Sequence, residues 1–298
     1  MVAHRQLSWE ADGRDWPNRE ASRFIDAGGL RWHVQQMGRG PALLLLHGTG
    51  ASTHSWRDLA PLLARGFAVV APDLPGHGFT QAPPRRLLTL PGMTSGIGAL
   101  LRTMDVRPTL VVGHSAGAAV MVRMTLDGLV APDGLVSLNG ALMPFRGAVG
   151  QFFSPLAKLL ALNPLVPRMF ARRAADPTAV ERLIANTGSS IDETGMALYR
   201  RLIGDPRHVA AALGMMANWD LKPLLRDLPK LRVPLLLVAG GEDRTISSEQ
   251  AFRIRDRVSS ANVKYLRKLG HLAHEERPEE IVQIIGEFAS SLRSPHIQ

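Results

Sequence analysis

The chain has 298 residues, 45% of them hydrophobic, which is enough to bury the core of one domain with an insertion. It contains no cysteine, and this excludes disulfides, a thiol nucleophile and thiolate metal sites. The net charge of +9 would suit acidic ligands, anionic lipid or nucleic acid. Because no zinc-finger spacing, RNA-binding aromatic set or basic heptad helix accompanies that charge, we expect no nucleic-acid partner and interpret the excess as a solvated basic surface.

The N-terminal region is polar. Its first twenty residues include four acidic residues and lack the apolar core of a secretory signal. No stretch of the sequence reaches the roughly 18 uninterrupted apolar residues of a membrane span. We therefore expect a cytoplasmic protein. Residues 1–21, which contain Trp9 and Trp16, are predicted to form an arm that is packed on the surface or partly disordered.

Predicted strands and helices alternate along most of the chain. Apolar and polar residues alternate on either side of Gly28-Gly29, which predicts a β-hairpin. Apolar runs typical of strands that are buried on both faces follow at residues 42–46, 67–71, 109–112, 135–138, 234–239 and 263–266. Helical patterns separate them at residues 56–63, 92–104, 248–258 and 278–292, with another directly after residue 115. This order predicts an α/β domain with a mostly parallel, twisted sheet flanked by helices.

The sequence pattern changes within residues 142–229. This segment contains no strand-like run, and proline repeatedly interrupts its helical patterns. We predict a helical cap over residues 142–229, inserted into a core that is formed by residues 22–141 and 230–298. A cap at this point of the chain would cover the carboxyl ends of the strands.

The predicted cap carries a very apolar stretch at residues 152–162. Seven arginines follow that stretch: Arg168, Arg172, Arg173, Arg182, Arg200, Arg201 and Arg207. An apolar surface edged by arginine suits a bulky hydrophobic ligand with carboxylates, or peripheral contact with a membrane surface. A lid helix packed on the main domain, with its arginines in water, is an equal alternative.

The most informative motif is Gly113-His114-Ser115-Ala116-Gly117, between a predicted strand and a predicted helix. In this context G-x-S-x-G forms a tight turn that presents the serine as a nucleophile. We therefore predict Ser115 as the nucleophile. The N–H groups of Ala116, at the start of the helix, and of Thr49, in the loop after another strand, are the candidate oxyanion donors.

A serine nucleophile needs a base, and the base needs an orienting acid. Asp243 follows the predicted strand at residues 234–239, and His271 follows the one at residues 263–266. Both would lie at the edge of the sheet where Ser115 lies, because parallel strands end there together. The order serine, acid, histidine therefore predicts a catalytic triad.

Two neighbouring residues are alternatives for these roles. Glu242 could supply the acid, but its side chain should point away from the site if that of Asp243 points towards it. His274 could supply the base, but it lacks a preceding glycine. Asn139, in the loop where some folds of this kind carry the acid, cannot hold the negative charge that an imidazolium needs.

The same loops carry further candidate residues. We expect His47, Gly48, His114 and Asn139 to contribute to substrate binding, and His114 to pack or hydrogen-bond beside the nucleophile without acting as the base. The ten histidines show no metal-ligand spacing, so no metal site is predicted. No complete G-x-G-x-x-G opens a helix after the first long strand, and we expect no cofactor.

These motifs together resemble the α/β-hydrolase superfamily across about residues 24–290. The resemblance is carried by His47-Gly48, residues 73–78, residues 113–117, residues 240–243 and Gly270-His271. It implies the α/β-hydrolase fold and leaves the reaction open, because this fold serves many reactions. One departure is residues 244–247, where a Val-Pro pair commonly follows the acid of the superfamily.

A narrower resemblance comes from residues 16–22, 49–56, 137–142, 154–158, 163–167 and 270–275. They are similar to the magnesium-chelatase accessory proteins of bacteriochlorophyll synthesis. That family is associated with inserting magnesium into protoporphyrin, an apolar macrocycle with two propionates. The resemblance implies a porphyrin ligand and a link to magnesium chelatase. The intact trio of Ser115, Asp243 and His271 favours a serine hydrolase of tetrapyrrole metabolism, whereas the family context favours an accessory role, such as porphyrin delivery. A general carboxylesterase is a further alternative.

Overall fold

The structure, a computed structural model, describes residues 6–144, 163, 165–173 and 176–293. Within these ranges eight strands form one sheet, in the order β1-β2-β4-β3-β5-β6-β7-β8. The pairings of β2 with β1 and β4 are antiparallel, and all others are parallel. The strands are β1 Ser22–Ala27, β2 Leu30–Met37, β3 Ala42–Leu46, β4 Ala68–Pro72, β5 Leu110–His114, β6 Gly134–Leu138, β7 Leu235–Gly240 and β8 Ala261–Leu266.

Helices lie on both faces of this sheet, and the sequence periodicity explains why. Alternate residues of β3 face opposite layers: Leu44 and Leu46 join one apolar core, Leu43 and Leu45 the other. The helices of the described ranges are α1 Trp9–Asp12, α2 Leu59–Leu63, α3 Leu90–Thr103, α4 Ala116–Leu126, α5 Leu165–Arg173, α6 Pro177–Ala185, α7 Glu193–Ile203, α8 Pro206–Ala217, α9 Lys222–Asp227, α10 Glu249–Arg255, α11 Ala273–Glu276 and α12 Pro278–Arg293. The first core packs against α3 and α4, the second against α2 and α12.

The strand register brings the predicted site together. Leu46 at the end of β3 pairs with Gly113 of β5, and Leu138 of β6 pairs with both His114 and Val238. The loops after β3, β5, β6 and β7 therefore leave the sheet at the same edge. This confirms the predicted α/β fold with its mostly parallel sheet.

One predicted helix is wrong in its extent. A 3₁₀ helix at Thr53–Trp56 ends where the predicted helix at residues 56–63 begins, and the α-helix α2 starts only at Leu59. Pro61 has no N–H to donate to the carbonyl of Arg57, four residues earlier. That carbonyl instead accepts a hydrogen bond from Asn18 Nδ2 at 3.0 Å.

Between β6 and β7 the described residues form helices α5 to α9 and no strand. Prolines that we expected to break helices begin them instead: Pro177 and Pro206 are the first residues of α6 and α8. This position suits proline, because the N–H it lacks would have no partner there. The predicted apolar stretch at residues 152–162 lies outside the described residues. No helix in the described ranges is long and apolar enough to cross a membrane.

The described part of the N-terminal arm is fastened to helices α7 and α8. Trp16 is 2% exposed and packs with Leu7, Leu198 and Leu202. Its indole N–H donates to Thr53 Oγ1 at 3.2 Å. The backbone N–H of Leu7 donates to the carboxylate of Asp205, and both Arg201 guanidinium nitrogens bind Asp15 at 2.7 Å. Residues 6–21 therefore pack onto the layer of helices α5 to α9, called the helical layer below.

If the arm contributes to stability, Trp16→Ala should lower the free energy of unfolding by about 3–5 kcal/mol, the usual cost of emptying a buried aromatic site. Denaturant unfolding followed by circular dichroism measures this. Phe252→Ala is the control, because Phe252 is 37% exposed and should cost about 1 kcal/mol. Equal losses for the two variants would contradict a stabilising role for the arm.

Candidate active site

Ser115 lies on the turn between β5 and α4 in a strained backbone conformation. Its φ is 51° and its ψ is −116°, a combination that a residue with a side chain rarely adopts. The flanking glycines permit it: a Cβ on Gly113 would lie 2.6 Å from the backbone of Ala118, and one on Gly117 would overlap the carbonyl of Leu46. The geometry is that of a nucleophile elbow.

Backbone hydrogen bonds to the turn after β6 hold this conformation. The N–H of Ser115 donates to the carbonyl of Leu138 at 3.0 Å. The carbonyl of Ser115 accepts from the N–H of Ala141 at 2.9 Å. The Ser115 side chain stays partly exposed at the edge of the sheet.

Asp243 and His271 form a hydrogen-bonded pair beside this edge. Nδ1 of His271 lies 2.8 Å from Oδ2 of Asp243, whose side chain is fully buried. Oδ1 of Asp243 accepts from the backbone N–H groups of Thr245 and Ile246 at 2.7 and 2.8 Å. The carboxylate is thus fixed, and a proton on Nδ1 leaves Nε2 of His271 free to accept another.

The two alternative residues occupy different surroundings. The side chain of Glu242 is exposed to solvent. His274 is 1% exposed and packs against the rings of Trp56 and His114, with centroids 4.6 and 4.4 Å away. Burial lowers the pKa of His274 to about 3. Neither has the geometry of the Asp243–His271 pair.

Two backbone N–H groups beside Ser115 are available to an oxyanion. In the described ranges neither Thr49 N–H nor Ala116 N–H donates to any acceptor. The loop that carries Thr49 comes very close to the nucleophile, since a Cβ on Gly48 would lie 3.0 Å from Cβ of Ser115. It would also lie 2.9 Å from Nδ1 of the buried His114, so a side chain here would force the loop or its neighbours to shift.

His47, His114 and Asn139, expected to bind substrate, are buried and bonded to backbone. The Nε2 of His47 accepts from Leu74 N–H at 2.8 Å, and burial lowers the pKa of His47 to about 4. The Nε2 of His114 lies 3.0 Å from the carbonyl of His271. In the structure these side chains support the site loops; their role in substrate binding stays a prediction.

Asn139 has the most contacts of the three. Its Nδ2 donates to the carbonyls of Gly270 and His271 at 2.8 and 2.9 Å. Its Oδ1 accepts from the N–H of Gly240 at 2.7 Å. The Asn139 side chain therefore links the turn after β6 to the loops that carry Asp243 and His271.

Ser115 and His271 are not joined directly. Among the residues that the structure describes, Oγ of Ser115 has no hydrogen-bond partner. In unliganded sites this contact is commonly long and tightens when substrate binds. Within the described ranges no group of three or more potential ligands could hold a metal ion.

A profile of the α/β hydrolase family matches residues 43–284. The chain belongs to the α/β-hydrolase family. It is 38% identical to the magnesium-chelatase 30 kDa subunit of Rhodobacter capsulatus over 88% of this chain and 92% of the relative. This confirms the predicted resemblance to magnesium-chelatase accessory proteins. A 2-hydroxy-6-oxo-2,4-heptadienoate hydrolase of Pseudomonas putida is 25% identical over 92% of this chain and 98% of its own length.

Solved structures agree on the architecture. An α/β-hydrolase-fold protein from Burkholderia ambifaria matches 90% of this chain and 97% of its own, at 26% identity and a TM-score of 0.75. The epoxide hydrolase CorEH matches 91% and 99% of the two chains, at 20% identity and a TM-score of 0.78. The second likeness supports the fold alone.

The sequence analysis missed a buried ion-pair network next to His271. The Glu275 carboxylate, fully buried, accepts from Nη1 of Arg57 at 2.5 Å and from the hydroxyl of Tyr199 at 2.8 Å. Arg57 also binds Asp192, at the start of α7. Burial raises the pKa of Glu275 to about 7, although Arg57 and Tyr199 lower it. Glu275 was part of the sequence resemblance and Arg57 was not; only their contacts reveal a role for the two residues.

The raised pKa of Glu275 predicts a specific pH dependence. Between pH about 4.5 and 7 the folded state holds a proton that the unfolded state has lost, so folding stability falls as pH rises. Glu275→Gln removes this proton exchange. The difference in free energy of unfolding between wild type and variant should change by roughly 3 kcal/mol over that range. Denaturant titrations at several pH values measure it; a constant difference would contradict the prediction.

Proposed function

We propose that the protein is a serine-dependent hydrolase that acts as an accessory factor at the magnesium-chelatase step of bacteriochlorophyll synthesis. Its substrate would be a porphyrin or a similarly large apolar carboxylate, in which it would hydrolyse an ester-type bond. The observation that carries the proposal is the fixed pair of His271 and Asp243 at the same sheet edge as the strained Ser115. Family membership and the 38% identical chelatase subunit support it.

In this mechanism Oγ of Ser115 attacks the carbonyl carbon while Nε2 of His271 takes the hydroxyl proton. The N–H groups of Thr49 and Ala116 stabilise the negative carbonyl oxygen, each contributing about 3–4 kcal/mol. The tetrahedral intermediate then breaks its C–O bond, and His271 gives the proton to the departing alkoxide. Water repeats both steps on the acyl-serine and releases the acid. Asp243 orients His271 and stabilises the imidazolium.

The proposed ligand class agrees with the helical layer above the site. In the described ranges the four most exposed large apolar side chains are on α5 and α6: Leu165, Met169, Phe170 and Leu183, each between 51 and 60% exposed. Helix α5 also carries three arginines and no acidic residue. We propose that this apolar, basic face lies against an anionic membrane, where an apolar pigment would be found.

A non-catalytic delivery protein is the second candidate. One observation favours it: the 38% identical relative bears the name of a chelatase subunit. Such a carrier would use the same site to hold a porphyrin for magnesium chelatase. Magnesium would then be the cargo of the chelatase reaction and would need no site in this chain.

Labelling with a fluorophosphonate separates the two candidates. We expect wild type and the control Ser291→Ala, an exposed serine on α12, to be labelled at equal rates. Ser115→Ala and His271→Ala should lose at least about 10³-fold in rate, because nucleophile and base act as a unit. Magnesium protoporphyrin should slow the labelling of wild type if it occupies this site.

Each outcome of the labelling experiment decides between functions. Absence of labelling in a folded wild type that binds porphyrin would overturn the hydrolase proposal and leave the carrier. Labelling that porphyrin does not slow, together with turnover of simple esters, would indicate a general carboxylesterase.

The membrane proposal predicts preferential binding to anionic vesicles. Wild type should sediment with phosphatidylcholine vesicles that contain phosphatidylglycerol, and high salt should weaken the binding. The double variant Met169→Glu with Phe170→Glu should bind at least about 10-fold more weakly, since it loses apolar contact and gains repulsion. Phe252→Glu, on α10, is the matched control. Equal binding of wild type and double variant would contradict the proposal.

A further inference from the structure

A turn of the helical layer, Thr187-Gly188-Ser189 between α6 and α7, contacts both loops that carry the acid and the base. The carbonyl of Thr187 accepts the N–H of Arg244, next to Asp243, at 3.1 Å, and the N–H of His271 at 3.3 Å. One carbonyl therefore bonds to both loops. The two hydrogen bonds tie the backbone next to Asp243 to that of His271.

The neighbouring residues of the turn fit the same two loops closely. The hydroxyl of Ser189, 6% exposed, accepts the N–H of Leu272 at 2.8 Å. Gly188 has a φ of +82°, and a Cβ there would overlap the carbonyl of Glu242. A Cβ on Gly270 would in turn overlap the carbonyl of Gly188. No side chain fits between the turn and the loops.

Two further contacts connect the loop that carries His271, the base loop, to the same helical layer. Tyr199 on α7 binds the carboxylate of Glu275, and Leu272 packs in an apolar cluster with Val180, Ile184 and Tyr199. Ala51, from the loop that carries Thr49, belongs to that cluster. Helices α6 and α7 therefore pack against both the base loop and the loop that carries Thr49, the oxyanion loop.

We infer that the turn Thr187-Gly188-Ser189 positions the acid–base pair, so that the placement of the helical layer over a ligand controls whether Asp243 and His271 are paired. This inference rests on the proposed hydrolase mechanism and adds a regulation of the same site. The turn touches no reacting atom. It acts through the backbone at Arg244, His271 and Leu272.

The pairing can be measured without catalysis, by the proton resonance of His271 Nδ1–H in full-length protein with ¹⁵N-labelled histidine. Loss of this resonance in Asp243→Asn assigns it. Gly188→Ala should abolish or shift the resonance and slow fluorophosphonate labelling by at least about 10-fold, because the added Cβ separates the turn from the acid loop. Gly29→Ala is the matched control: its φ of +78° gives the same backbone strain, and nothing lies within 4 Å.

Ser189→Ala tests the turn with a milder change. Losing the acceptor for Leu272 N–H should slow labelling by about 3- to 10-fold and shift the pH of half-maximal labelling. Ser189→Thr keeps a hydroxyl and should restore both. A purely structural role would lower the folded fraction and leave the pH midpoint unchanged.

The outcomes distinguish this inference from the proposed function. Wild-type resonance and pH profile in both Gly188→Ala and Ser189→Ala would overturn the inference. If wild type is never labelled, but its resonance responds to Gly188→Ala and not to Gly29→Ala, the hydrolase function fails and the coupling of turn and pair holds.

Discussion

The side chain of Asn139 is the interaction on which the geometry of the site depends. Asn139 lies in the turn after β6 with a backbone φ of 46°. Its side chain donates to the carbonyls of Gly270 and His271 and accepts from the N–H of Gly240. The residue before it, Leu138, receives the N–H of Ser115. Nucleophile, acid loop and base loop are therefore held by two consecutive residues. An aspartate at this position would set a negative charge against two carbonyls, so a neutral amide suits it chemically.

Much of this arrangement follows from the sequence for reasons that are local. Buried parallel strands must be apolar on both faces, and a turn as tight as Gly113–Gly117 needs glycine where backbones meet, so both features are visible in the residue pattern. The proximity of the loops that carry Ser115, Asp243 and His271 then follows from the common edge at which the parallel strands end. The roles of His47, His114 and Asn139 depend on which backbone N–H and carbonyl groups distant segments bring near, and no local pattern contains that information.

Buried histidines form a second set of links around the site. All eight histidines in the described ranges are buried, and burial lowers the pKa of six of them: His47, His54, His77, His114, His208 and His274. A neutral imidazole offers one donor and one acceptor. His208 uses both, accepting from Gly78 N–H and donating to the carbonyl of Gly50 beside Thr49. Helix α8 is thereby joined to the oxyanion loop, and protonation of His208 would cost the bond to Gly78.

The helical layer is consequently part of the site and more than a cover. It contacts the oxyanion loop through His208, and the acid and base loops through the turn at Gly188. Under the proposed function, a ligand as large as a porphyrin would lie between these helices and the sheet edge, and its binding would act on the hydrogen bonds that link the turn to the loops of Asp243 and His271. Under the proposed function, delivery and hydrolysis then need no separate sites. A bound pigment that leaves the hydrogen bonds of the turn intact would keep Asp243 and His271 paired, and one that breaks them would leave a carrier without an oriented base.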